Sequence, residues 1–284
     1  MYDPMFLHSD LWRDFQERAG VTVCSLEGAD NPWAMRVTLP LGLHYWYSPY
    51  ASSYESLITC GKSSGAVFVK CEPMQEDTAA YVGLKDRGFV RSIRSLQPQK
   101  TSVVSLSADQ ETMLSGMNKK ARYNIRLAMR KGVVVDTNGT VDEFWALMQE
   151  TTERDGFHSH TRSYYEELLK TQGVSLYMAR IQQTPAACAI VLTYKGRGVY
   201  LHGASSYQYR SYMPSSILQW HIMVSLADKG VKEYDLWGID DKKWAGVTRF
   251  KRRLGGTEIE YGGSYDFALR PILYGLYAIK QKML

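Results

Sequence analysis

The sequence predicts an α+β fold built in two parts. Apolar residues recur at helical spacing in several segments, apolar β-branched runs lie between them, and both halves run helix, antiparallel strands, helix, strand. The first half opens with a helical segment at 9–19, strand-like runs at 21–26 and 34–39, a helix at 52–61, a strand at 66–71 and a helix at 76–86. A strand at 102–106 then leads into a long helix at 109–131 and a strand at 133–137. Helices at 141–154 and 162–171 precede runs at 175–181, 186–194 and 198–204. Short turns at 182–185 and 195–198 join those runs as hairpins, so this part of the sheet pairs antiparallel. A helix at 214–229, strands at 233–237 and 257–261 and a C-terminal helix at about 270–283 complete the order. The 284 residues suit two domains. The expected division is 1–108 plus 265–284 for the first and 109–264 for the second, with the C-terminal helix returning to the first half.

Composition narrows the class. With 45% hydrophobic and 22% charged residues the chain buries a real core. The opening MYDPMFLHSD lacks a basic and then apolar leader, and no run approaches the roughly 18–20 apolar residues that cross a bilayer, so a cytosolic chain is expected. Cys24, Cys60, Cys71 and Cys188 lie far apart with no C-x-x-C and are expected to be plain thiols. Histidines are few and scattered, so no metal or other cofactor is expected.

A net charge of +5 says little, but its distribution says more. KKARYNIRLAMRK, from Lys119 to Lys131, holds no acidic residue. On a helix Lys119, Arg122, Arg126 and Arg130 form one stripe, opposite Met117, Ala121, Ile125 and Ala128. A second cluster, Lys242, Lys243, Arg249, Lys251, Arg252 and Arg253, has Trp244 and Phe250 interleaved. Cations beside aromatics suit a phosphate-rich ligand, because the charges displace counterions while the rings stack on bases.

Several motifs occur in a characteristic order. Gln97-Pro98-Gln99-Lys100-Thr101 is followed by SVVSL and a helix ending ARYNIRLAMRKGVVV. Around them stand Leu7-His8-Ser9-Asp10-Leu11-Trp12, Tyr47-Ser48-Pro49, Lys70-Cys71-Glu72-Pro73, ERDGF before SYYEELL, Tyr200-Leu201-His202-Gly203-Ala204, YDLWGID and TRFKRRLGG. Together they resemble the FemABX family of peptidoglycan aminoacyltransferases across nearly the whole chain. The resemblance implies two GNAT-like domains packed together, each a mixed, mostly antiparallel sheet flanked by helices. It also implies transfer of an amino acid from aminoacyl-tRNA to the stem peptide of a peptidoglycan precursor, either UDP-MurNAc-pentapeptide or lipid II. The helical arm of larger members has no room between Tyr165 and Tyr200. The partners implied are the tRNA and the precursor; the chain is expected to work as a monomer, at most touching the inner membrane face through its amphipathic C-terminal segment.

The implied reaction has an amine attack an ester carbonyl, so a proton must leave the amine and an oxyanion must be stabilised. A lysine-type amine is neutral in only roughly four of ten thousand molecules at pH 7. By position in the resemblance, Glu72 is the candidate base, with Asp155 as a weaker alternative and substrate-assisted transfer needing neither. Lys251 is the candidate for the oxyanion, because a fixed cation in a dry site is worth several kcal/mol, and Phe250 would pack beneath the acceptor ester. The resemblance puts a diphosphate cation near His160 or Arg162; its partner lysine has no match, leaving Arg13 nearby. Tyr164, Tyr165, Tyr200, His202, Tyr207 and Tyr212 are expected to line the peptide groove, with His202 standing where the family has tyrosine. Lys119, Arg122, Arg126, Arg130 and Arg252 are expected to contact tRNA. One rival is an acyl-CoA-dependent N-acyltransferase, but the segment Tyr209 to Pro214 lacks the glycines of a pyrophosphate loop. The other is a non-catalytic RNA-binding protein.

Overall fold

The computed structural model describes residues 5–28, 32–49, 53–73 and 83–283. The chain divides into two compact units, 1–99 with 260–284 and 100–259. The expected boundaries near 108 and 265 therefore move to 99/100 and 259/260. The reason is the strand β6 (Lys100–Ser105), which pairs antiparallel with β11 (Glu233–Asp235) well inside the second unit.

In the first unit α1 (Asp10–Arg18) is started by Ser9, whose Oγ accepts from the Trp12 N–H at 3.2 Å. Trp12 and Phe15 form its buried side. Strands β1 (Val23–Ser25), β2 (Trp33–Thr38) and β3 (His44–Pro49) form an antiparallel run. Helix α2 (Tyr54–Ser63) then crosses to β4 (Phe68–Glu72), which lies parallel to β3. The sheet order is β1-β2-β3-β4-β13-β5, with β5 (Val90–Arg91) at the edge and β13 (Tyr265–Ala268) arriving from far along the chain. Gly61 lets α2 lie close on this sheet, since a Cβ there would stand 2.5 Å from Val69 Cγ1 and 2.6 Å from Leu269 Cδ1. The buried ammonium of Lys70 meets Asp266 across β4 and β13 at 2.8 Å and donates to Arg94 O at 2.9 Å.

Sequence reading misses β3. Its segment HYWYSP is buried along its whole length, so it shows no alternation of apolar and polar residues. The expected helix at 76–86 lies mostly outside the described residues. Of the four cysteines expected as plain thiols, Cys71 and Cys188 are buried and free, while Cys24 on β1 and Cys60 on α2 turn their sulfurs toward each other with Cα atoms 7.1 Å apart, just beyond the usual span of a disulfide.

The second unit has the sheet order β12-β6-β11-β10-β9-β8-β7. Here β7 (Val134–Asp136), β8 (Val174–Ile181), β9 (Thr184–Tyr194) and β10 (Arg197–Ser205) are antiparallel. Helix α7 (Pro214–Asp228), apolar nearly all round, crosses to β11, which lies parallel to β10; β12 (Thr257–Glu260) closes the edge. Both units thus repeat one plan, in which an antiparallel run is followed by a crossover helix and a parallel strand. This is the mixed, mostly antiparallel α+β arrangement of the GNAT fold. Helices α5 (Val141–Asp155) and α6 (Arg162–Leu169) precede the hairpins. The expected single helix at 109–131 is two, α3 (Gln110–Ser115) and α4 (Lys119–Arg130), because Gly116 ends the first and Asn118 caps the second with its side chain on the Lys120 N–H. A further helix, α8 (Ala245–Arg253), carries the second basic cluster.

The C-terminal helix α9 (Pro271–Met283) belongs to the first unit. Leu273, Tyr274 and Tyr277 pack on Tyr45 and Phe68, and the Tyr274 hydroxyl donates to Asp266 Oδ2 at 3.0 Å.

Candidate functional site

In the second unit the site is built where β10, β11 and α8 meet. β11 ends in a turn held by Asp235, which is 1% exposed and accepts from the Trp237 N–H at 2.7 Å and from the Thr101 hydroxyl. Trp237 consequently has φ +59°, a strained conformation for a bulky residue. The turn aims the carbonyls of Trp237 and Gly238 at Lys251 Nζ, at 3.2 and 2.8 Å. Thr248, one turn before Lys251 on α8, donates to Asp240 O and accepts from its N–H, both at 2.9 Å, which fixes the helix against the same loop. Lys251 is 7% exposed, and its Nζ lies 5.6 Å from the ring centre of Tyr200. Desolvation brings its ammonium down to about 8, opposed by the charge of Asp235. Two of its three N–H donors are used by carbonyls, so one remains for a ligand. Phe250, its neighbour on α8, packs partly buried on the core of the unit.

Next to Lys251, Tyr200 and His202 flank a bulge in β10. Tyr200 lies flat across the strand, as a Cβ on Gly203 would collide with its ring, and burial raises its phenol. His202 lies 5.7 Å from His160 and 5.1 Å from Tyr165, ring centre to ring centre, while His160 stacks on Tyr164 at 3.8 Å. Burial, and secondarily His160, push His202 down to about 3; burial also lowers His160. These four rings form a neutral aromatic wall, so His160 brings no cation for a diphosphate. Tyr207 stacks under Arg210, and Tyr212 lies beneath Lys131 Nζ at 4.7 Å.

Several expected roles need correction. Arg162 binds Asp142 Oδ1 at 2.7 Å and also pairs with Glu166, so its charge is already matched. Arg13 is likewise held by Asp10 at 2.9 Å and Asp14 at 3.2 Å. Neither offers an unmatched cation to a diphosphate. Asp155 is paired with Arg154 through both oxygens, at 2.8 and 2.7 Å, which lowers its pKa. In the first unit Glu72 is 3% exposed and accepts from the N–H groups of Leu96 at 2.8 Å and Gln97 at 3.2 Å, and from the hydroxyls of Tyr47 and Ser264. Four donors fill a carboxylate's lone pairs. Glu72 therefore organises the turn before Gln97-Pro98 and is not free to act as a base.

The basic stripe also changes. Breaking the long helix leaves the last carbonyls of α3 without intrahelical partners, and Arg122 supplies the donors, reaching Met117 O at 2.6 Å, Ser115 O at 3.3 Å and Leu114 O at 3.4 Å. Lys119, Arg126 and Arg130 remain exposed along α4. Arg252 is bound by Asp241 at 2.5 and 2.9 Å and by Glu258 at 2.6 Å. It lines an open cleft of about 450 Å³ with Asn118, Asp241, Ala245, Arg249 and Arg253. Arg249 and Arg253 make no ion pair among the described residues; the sequence places both in the second basic cluster, though not among the expected tRNA contacts. The Asp235 and Trp237 turn was also missed, although YDLWGID marks its place.

The profile of the family described as "Acetyltransferase (GNAT) domain" matches residues 116–252. The lipid II:glycine glycyltransferase of Staphylococcus haemolyticus is 22% identical over 272 residues, covering 69% of this chain and 65% of that protein. Its Staphylococcus saprophyticus counterpart is 22% identical over 302 residues, covering 78% and 73%. This chain thus spans about 65% of the length of the first of these relatives. Among solved structures, FemX superposes with a TM-score of 0.77 at 19% identity, covering 96% of this chain and 94% of that one. L-PGS from Bacillus licheniformis superposes at 0.62 with 12% identity, covering 99% and 96%.

Proposed function

We propose that this chain, similar over most of its length to the staphylococcal lipid II:glycine glycyltransferases and in fold to FemX, is a FemABX-family aminoacyltransferase that extends the stem peptide of a peptidoglycan precursor. The donor in this reading is aminoacyl-tRNA and the acceptor is a stem-peptide amine carried on lipid II, the substrate named for the staphylococcal relatives. The observation that carries it is Lys251, a buried ammonium with two N–H groups held by carbonyls and the third unspent. The amine nitrogen attacks the ester carbonyl of the donor. Lys251 then stabilises the oxyanion until the carbon–oxygen bond to the tRNA ribose breaks and an amide remains. With Glu72 and Asp155 both engaged, the amine proton passes to the departing ribose oxygen within the substrates. The aromatic cluster of His160, Tyr164 and His202, backed by the buried Tyr165, offers contact area for the peptide, and Lys119, Arg126, Arg130, Arg249 and Arg253 contact the tRNA backbone.

The acyl-CoA alternative is less favoured by the loop before α7. Met213 caps that helix without a side-chain bond and Pro214 removes an N–H from its first turn, which leaves fewer donors for a pyrophosphate.

The direct test mixes the protein with lipid II and aminoacyl-tRNAs and reads the product mass. A gain of one amino-acid residue that requires the tRNA supports the reading; no gain with lipid II or UDP-MurNAc-pentapeptide overturns it. Two further outcomes follow. Expressed per neutral acceptor amine, whose fraction itself rises about tenfold per pH unit in this range, kcat/KM falls about tenfold per pH unit above pH 8, because an ammonium near 8 must stay protonated, and Lys251→Arg flattens that limb at a lower plateau; a limb unchanged in the arginine variant removes Lys251 from the chemistry. Reversing Arg126 and Arg130 to glutamate cuts the slope of log affinity for tRNA against log salt by at least about 1.5, whereas an unaltered slope would leave α4 a solvated face.

A further inference from the structure

Helix α9 is packed on one side and apolar on the other. Leu273, Tyr274 and Tyr277 anchor it, with Tyr277 against Phe68 at 4.8 Å between ring centres and Phe68 stacked on Tyr45 at 4.3 Å. The helix is thus held rigidly by its inner face. Its outer face carries Ile272, Leu276, Ile279 and Met283 at steps of four, three and four, a single stripe, with Ile272 83% and Met283 82% exposed. Leu39 and Leu43 pack on the same cluster as the inner face of α9, and between them Leu41 stands 96% exposed at φ +62° on the tip of a tight turn. An unfavourable backbone conformation that projects leucine into solvent costs the isolated protein twice.

Charge identifies the occupant. From Leu269 to the end of α9 the chain carries Arg270, Lys280 and Lys282 and no acidic residue. Two copies of this face would bring like charges together, whereas an anionic lipid surface matches both the cations and the apolar stripe. At 1.5 Å per residue α9 is about 20 Å long, and no helix among the described residues is long and apolar enough to cross a membrane. We propose that α9 and the Leu41 tip form a docking surface that lies in the interface of an anionic bilayer, with the stripe among the acyl chains and Lys280 and Lys282 at the headgroups. The site goes beyond the transferase reading and does not depend on it, because the bilayer itself is the ligand.

The test is flotation with vesicles of phosphatidylcholine containing about one third phosphatidylglycerol and no peptidoglycan precursor. Wild-type protein is expected to float at low salt, less so on phosphatidylcholine alone. Leu276→Gln combined with Ile279→Gln should weaken binding at least tenfold, and Lys280→Gln with Lys282→Gln roughly fivefold per lysine. All these side chains point outward, so thermal unfolding should stay unchanged and separates lost docking from lost fold. Failure of the wild type to float overturns the proposal. So does a dimer in sedimentation that the Leu276 and Ile279 variant dissolves, since the face would then belong to a second copy. Transfer assayed separately reports on the transferase reading alone.

Discussion

Lys251→Ala is expected to lower turnover by roughly 10²–10³, the loss that follows removal of one preorganised oxyanion donor. The side chain is buried, but it reaches the turn at Trp237 and Gly238 only through its ammonium, so the fold should survive with at most a modest fall in Tm. The effect belongs in kcat, because the oxyanion exists only after the amine has attacked. A KM effect with kcat intact would make Lys251 a binding group, and wild-type turnover would remove it from the mechanism. The carbonyls of Trp237 and Gly238 do not neutralise the cation; they aim it. Asp235→Asn should therefore lower turnover without touching substrate, and should move the high-pH limb downward, because the carboxylate that opposes desolvation is gone.

Glu72→Gln separates a base from a scaffold. As an acceptor for two backbone N–H groups and two hydroxyls, Glu72 ties β4 to the 92–99 turn and to Ser264. An amide keeps one accepting oxygen, enough for Leu96, Gln97 and Ser264 on the Oε1 side, while its amino group faces the Tyr47 hydroxyl, which must turn to accept, and the longer contact from the Gln97 N–H. Weakening these charge-assisted bonds costs about 1–3 kcal/mol, on the order of a few degrees in Tm. Turnover per folded molecule should fall far less than in Lys251→Ala. An unchanged Tm with turnover reduced a hundredfold or more would instead make Glu72 the base.

What could be read from the sequence follows from what local pattern encodes. Strands with one solvated face, and helices with one apolar stripe such as Ala121, Ile125 and Ala128 on α4, show their period, and both are found. His44–Pro49 is covered on both sides, so its period vanishes. Cations are counted easily in a sequence, but the carboxylates that neutralise them come from elsewhere: Asp142 for Arg162, Asp241 and Glu258 for Arg252. Arg122 was misread for a related reason, since a break at Gly116 to Asn118 turned an exposed cation into a helix cap. Lys251 stood out through a short motif, but the groups that hold it are main-chain carbonyls, which any residue supplies and no motif records.

The late arrival of β13 in the sheet order also governs how the chain becomes a protein. Residues 100–259 are contiguous and can close their sheet as soon as they leave the ribosome, whereas Tyr265–Ala268 must pair with Cys71 to Phe68 across nearly the whole length already made. Until then β4 and β5 present unpaired edges and Lys70 lacks its carboxylate. The unit that begins first is completed last, which exposes the nascent chain to aggregation during synthesis. A chain released before residue 265 should accordingly carry a folded second unit and a first unit that recruits chaperones.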